Sequence, residues 1–287
     1  MPADFAWIAD ARRVVGRRGR SRWVWARRGG PRRLGTIGSS LLVLGFLAYA
    51  TLYLQIDLTR LGQLVPRLWR LVLEQYYPPR LGYLVKESYL KSVLETLQMS
   101  YLAALFGLAL AIPLAWCASF NMSPSPRLLY PAARCIIVCC RSVHEMVWTI
   151  LFVAILGFGI LPGVVALTLS SVGFAGKLFA EEIEAIDEGP VVAVRATGAN
   201  RMQILAYAVL PQVRVAWTGI SIYTWDAAFR ASTVVGFFGA GGMGWHLRRS
   251  VQQLEMHDVA AILLSILCVV MMAEAASAWA RRRVASA

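Results

Sequence analysis

The chain has 287 residues, of which 58% are hydrophobic and 16% charged, with a net charge of +13 at pH 7. A soluble globular domain is closer to a quarter charged, and here long uncharged stretches alternate with short charged ones. That distribution excludes an ordinary soluble enzyme and fits repeated membrane spans of about 20 apolar residues each.

The first element is a basic tail, residues 1–33. Ten arginines lie between Arg12 and Arg33 with no acid among them, and Trp7, Trp23 and Trp25 lie in or near the cluster. The cluster abuts an apolar run, so it reads as a positive-inside signal resting on anionic headgroups, not as a nucleic-acid site. It is too long for a signal peptide, and no small-residue cleavage site follows the first apolar run. A transmembrane domain is predicted over residues 34–287. Span one covers Leu34 to Leu54. Residues 55–91 mix aromatics with charge, break at Pro78-Pro79, and predict amphipathic helices at an interface. Span two covers Ser92 to Phe120, and the NMSPSP turn follows at Asn121–Pro126. Span three covers Pro131 to Leu156. Gly157, Gly159 and Pro162 turn the chain into span four, which ends near Glu181. A polar segment, residues 182–211, is too charged to cross. Span five covers Gln212 to Val235, a glycine-rich stretch and a polar link follow, and span six covers His257 to Ala280. The expected fold is therefore all-α, polytopic, with about six spans. An even number of spans puts both termini on one side, and the arginines at the two ends, including Arg281–Arg283, make that side cytoplasmic.

The five cysteines, Cys117, Cys135, Cys139, Cys140 and Cys268, have no matching Cys or His array. They read as small buried hydrophobes, with no metal and no cofactor expected. Two nucleotide-binding look-alikes also fail. Gly239–Gly244 matches G-x-G-x-x-G, but that fingerprint needs a preceding strand and the segment before it is a membrane helix. Gly173–Lys177 has the wrong spacing for a P-loop, and Leu178 replaces the Ser/Thr. The chain thus carries no ATP site of its own and is not itself an enzyme.

Residues 182–211 hold the most specific pattern. Asp187 or Glu188 with Gly189-Pro190 starts a helix, Gly198 permits a left-handed turn after it, and Pro211 begins the next span. The segment resembles the cytoplasmic coupling loop of ABC importer permeases, E-A-A-x3-G-x9-I-x-L-P. Ala193, Gly198, Leu210 and Pro211 match in register, whereas Val192, Val194 and Ala208 depart. The glutamate is lost, and Glu184 or Glu188 is the candidate replacement. The neighbouring strings GFAGKLFAE (173–181), RATGAN (195–200), VLPQV (209–213) and RASTVVGFFGAGGMG (230–244), with LETL (94–97) and Ser142–Val153, resemble the phosphonate/phosphate-type permeases over residues 75–280. The resemblance implies a type I importer permease fold in a bacterial inner membrane. It also implies a second permease copy, two ABC ATPase subunits, an extracytoplasmic substrate-binding protein and surrounding lipid as partners.

Three i, i+4 pairs of opposite charge fall inside spans: Arg141 with Glu145, Lys177 with Glu181, and Asp226 with Arg230. The spacing puts each pair on one helix face. Self-neutralisation for insertion is one reading of them. The other is that Arg141 and Arg230, with His144, Glu145, Asp226, Ser232 and Thr233, line an electropositive path for a phosphonate or phosphate, which suits the planar donor fork of arginine. The rival functions are a permease of the same architecture for an amino acid or betaine, and an ion-coupled secondary transporter using Glu145 and Asp226.

Overall fold

The computed structural model describes residues 11–15, 21–25, 32–54 and 62–285. The chain divides into two compact units, residues 1–68 and 69–287. In the first, β1 (Ala11–Val15) pairs antiparallel with β2 (Ser21–Trp25), Ala11 opposite Trp25, and α1 (Arg32–Tyr53) follows. The hairpin is the one departure from an all-helical chain among the described residues. Most of the basic tail, and residues 55–61 of the expected interfacial stretch, lie outside them. An amphipathic helix, α2 (Leu64–Leu71), runs across the boundary between the units.

The second unit is built on α3 (Glu87–Ala118), α4 (Leu129–Ser142), α5 (Glu145–Leu156), α6 (Ile160–Glu184), α7 (Glu188–Ala196), α8 (Arg201–Ile204), α9 (Leu210–Val235), α10 (Gly242–Gln252) and α11 (Met256–Ala285). Three helices, α3, α6 and α11, are each long and apolar enough to cross a bilayer, and α4 with α5 meets the same test only as a bent pair, the form of a broken span or of a re-entrant loop. The 32 residues of α3 reach about 48 Å at ~1.5 Å each, well beyond the ~30 Å hydrocarbon core. Helical segments thus occupy all six predicted positions, α1 and α9 included.

The third span differs from expectation. It is not one helix: α4 and α5 meet at 88°. The local cause is a pair of terminating contacts. Ser142 Oγ donates to the Cys139 carbonyl at 3.0 Å, and His144 caps α5 by accepting from Met146 N at 3.3 Å. Glu145 then opens a new helix, where a carboxylate complements the positive end of the dipole.

Small side chains let the helices approach closely, as is common where lipid supplies no hydrophobic drive. Ala103, Gly107, Ala111 and Ala115 recur every fourth residue along α3, and a Cβ on Gly107 would lie only 2.4 Å from Ser171 Cβ of α6. Phe179 of α6 stacks on Trp217 of α9 at 4.6 Å between centroids, closing the apolar cluster at the end that bears α7. The outside is apolar too, with Leu105, Phe106, Ile155 and Leu267 exposed. The cysteines follow the same logic and correct the sequence reading. Cys140 is buried, but Cys135, Cys139 and Cys268 face outward, because an outward position on a spanning helix meets lipid and not water.

Candidate functional site

The segment after α6 folds into a small knob. Asp187 caps α7 by accepting from Gly189 N at 2.9 Å, and Gly198 ends the turn with φ +82°. Asn200 then caps α8 in a reciprocal box: its Oδ1 accepts from Gln203 N at 2.9 Å, and Gln203 Oε1 accepts from Asn200 N at 2.8 Å. Ala193, Glu188 and Gly198 are exposed, and Leu210 is 39% exposed. Pro211 sits in the first turn of α9, where its missing donor costs nothing. An open groove of about 460 Å³ runs along Val194, Gly198, Ala199, Gln203 and Tyr207.

Glu184, one of the two candidate replacements for the lost glutamate, ends α6 just before the knob. Its Oε1 accepts from Arg134 Nη2 at 2.6 Å and from Phe120 N at 2.8 Å, while Arg134 Nε donates to the Ala118 carbonyl at 2.8 Å. The carboxylate and the guanidinium together tie the last turn of α3 to α4 and α6. Asn121 Nδ2 adds a bond to the Ile183 carbonyl at 2.9 Å, and Arg201 donates to the Pro124 carbonyl. Gln212 completes the brace. Its Oε1 accepts from Asp187 N at 3.0 Å, and its Nε2 donates to the Ala208 carbonyl at 2.8 Å. The sequence did not single out Gln212, although it lies inside the VLPQV string.

The charged span residues do not converge on one site. Asp226 Oδ2 meets Arg230 Nη1 at 2.5 Å, with the Asp226 side chain 4% exposed and the Arg230 side chain 39% exposed. Lys177 meets Glu181 at 3.3 Å. The expected Arg141–Glu145 pair does not form, because the 88° break puts the two on different helices. Glu145 instead has His144 Nε2 at 3.6 Å and borders a cavity of about 170 Å³ with Ser170, Ser171, Thr224, Ala227 and Ala231. Neither Asp226 nor Arg230 lines that cavity. Ser232 Oγ and Thr233 Oγ1 donate to their own helix, to the carbonyls of Phe229 at 2.7 Å and Arg230 at 2.8 Å, as hydroxyls in membrane helices commonly do.

The glycine-rich stretch makes a tight reversal, not a nucleotide loop. A Cβ on Gly244 would fall 2.2 Å from the Thr233 carbonyl, and Gly239 and Gly241 hold φ at +114° and +83°. The reversal ends by opening α10, and the free amides there are met from α3. Glu95 Oε2 accepts from Gly242 N at 3.2 Å and Thr96 Oγ1 from Met243 N at 2.9 Å. Nothing in the periodicity pointed to these two residues, since they lie 147 positions from their partners. The LETL string contains them. On α10, His246 packs between Tyr83 and Tyr89 and shares a hydrogen bond with Tyr83 Oη at 2.9 Å. Burial, then Arg249, lowers its pKa against weaker upward pulls from Glu95 and the Ser88 backbone, so the ring is neutral at pH 7.

Comparison with known proteins agrees with this architecture. Residues 107–286 match the family described as binding-protein-dependent transport system inner membrane component. The phosphite transport system permease protein PtxC of Stutzerimonas stutzeri is 41% identical over 247 residues, covering 86% of this chain and 88% of that protein. The phosphate-import permease protein PhnE of Mycolicibacterium smegmatis is 40% identical over 190 residues, covering 66% of this chain and 36% of that protein. Among solved structures, the MetNI methionine ABC transporter gives a TM-score of 0.58 at 23% identity, covering 69% of this chain and 96% of that one. A bacterial alginate ABC transporter gives 0.60 at 15% identity, covering 88% and 98%. These two establish the fold alone, that of the type I importer permeases. Taken with the family match and the identity to PtxC, they show that the chain belongs to the binding-protein-dependent transport inner membrane components, as a multi-pass permease subunit of an ABC importer.

Proposed function

We propose that this permease forms the translocation path for a phosphorus oxyanion of the phosphonate, phosphate or phosphite class. The observation that carries the reading is 41% identity, sustained over 86% of the chain, to a phosphite transport permease. Two ABC ATPase subunits, a second permease copy and an extracytoplasmic binding protein complete the transporter, with both termini and the α7 knob in the cytoplasm. ATP bound by the partner moves the knob, and the Glu184–Arg134 and Gln212–Asp187 contacts pass that movement to α3, α4 and α9. Ala193, Glu188, Gly198, Leu210 and Pro211 form the docking surface. Arg230, screened by Asp226, offers donors to the passing anion, and Glu145 with His144 borders the path on α5. Residues 1–33 act as a basic tail held at anionic headgroups.

The test is copurification. A tagged chain should bring down an ABC ATPase, and Gly198→Val should lose it. No atom lies within 4 Å of the position a Cβ would take at Gly198, so the substitution acts through backbone strain at φ +82° and not by a clash. That strain is about 1–2 kcal/mol, more for a β-branched residue. Undiminished ATPase recovery and undiminished oxyanion uptake in the variant would remove the knob from the coupling role.

A further inference from the structure

Arg141 closes α4 with no carboxylate partner among the described residues. Its position is fixed by close helix packing. A Cβ on Gly173 of α6 would lie 2.7 Å from Arg141 Cγ and 3.1 Å from its backbone nitrogen. Arg141 borders an open cleft of about 410 Å³, shared with Arg134, Ile137, Ser142 and Lys177. Around it, Arg134 is bonded to Glu184 at 2.6 Å and Lys177 to Glu181 at 3.3 Å. Three cations against two carboxylates leave one positive charge, and it sits on Arg141. Glu145, the acid four residues on, is turned away by the helix break. An uncompensated arginine within a span is costly and calls for a counter-charge.

We infer that this cleft binds a singly charged tetrahedral phosphorus oxyanion, which restores neutrality. Arg141 supplies the planar fork for two oxygens. Lys177 keeps donors beyond the one it gives Glu181. Arg134 adds its charge while Nε and Nη2 hold Ala118 and Glu184. Ser142 contributes no proton, since its hydroxyl is committed to Cys139. Arg141 lies two helical turns along α4 from Arg134, which belongs both to the cleft and to the brace that leads to α7. It is separate from the Asp226–Arg230 pair and from the Glu145 cavity. Two sources share this ligand chemistry: an anionic phospholipid headgroup, and a free phosphonate, phosphite or phosphate monoanion. Only the second source rests on the transport reading.

The experiment compares the full chain with Arg141→Gln, Arg141→Lys and Lys177→Gln. One arm counts phosphatidylglycerol against phosphatidylcholine retained in native mass spectrometry. The other titrates inorganic phosphite, with chloride as control, into delipidated protein in detergent. In at least one arm, Arg141→Gln and Lys177→Gln are expected to weaken binding by about tenfold, the loss of one charge-assisted contact. Arg141→Lys should fall between them and the parent. Retention of phosphatidylglycerol alone assigns the cleft to the bilayer, and phosphite binding alone assigns it to cargo. Should Arg141→Gln not fold, Lys177→Gln decides by the same criterion, since its side chain is 41% exposed. Unchanged affinity in both arms overturns the inference, as does loss of a permease dimer with both affinities intact. Failure of oxyanion uptake in cells would remove the transport reading and leave the lipid arm readable. Failure of both binding arms would remove the cleft and leave uptake untouched.

Discussion

Asp226 and Arg230 form one ion pair but are not equally replaceable. The Asp226 side chain is 4% exposed, and its Oδ1 has no protein partner among the described residues. Arg230 keeps a side chain 39% exposed at the end of a long stem. Truncating the arginine strands a buried carboxylate, and breaking a buried pair in that way costs about 3–5 kcal/mol. Neutralising the aspartate leaves a cation that can bend toward a polar region. Arg230→Ala is therefore expected to lower the unfolding temperature of the purified permease clearly more than Asp226→Asn. Equal losses, measured by thermal unfolding in detergent, would mean that burial does not distinguish the partners. The pairing itself was legible from the i, i+4 spacing. The failure of the same spacing at Arg141 and Glu145 was not, because the Ser142-Val143-His144 run reads as ordinary helix until its capping bonds are seen.

At the scale of elements, the bundle rests on surfaces without side-chain bulk. Gly107 faces Ser171 Cβ at 2.4 Å and the Thr168 carbonyl at 3.3 Å from the position a Cβ would take, and neither atom is the tip of a flexible chain. Gly107→Ala should therefore overpack the α3–α6 crossing and cost about 1–3 kcal/mol, despite the better helix propensity of alanine. A denaturation midpoint equal to or above the parent's would show that the crossing is looser than described. The helices were largely readable, since each long apolar run except the third became one, and Asp187 and Gly198 marked the start and end of α7. The helix α10 was hidden. Its glycine-rich opening reads as a loop, and the groups that stabilise it, Glu95 and Thr96, come from a helix far away in sequence. Local pattern cannot show a cap supplied across the fold.

At the scale of the molecule, composition and family agree on a permease embedded in lipid, and the apolar exterior is what a bilayer requires. The candidate site was legible only as a set of residues, not as a place. The chain distributes them over the α7 knob, a cavity beside Glu145, a cleft beside Arg141 and a pair on α9, because the helix break and the helix faces separate what sequence spacing had grouped. A permease of the same fold could carry a different solute, as the methionine transporter does. Uptake by the reconstituted transporter is thus the measurement that bears most directly on the account. Proteoliposomes holding the chain with its copurifying ATPase, supplied with the binding protein, are loaded with ATP and offered radiolabelled phosphite, phosphate or methionine. The expected result is uptake of a phosphorus oxyanion that requires ATP and is competed by phosphonates but not by methionine. Uptake of methionine instead, or oxyanion uptake that persists without ATP and follows an ion gradient, would contradict it.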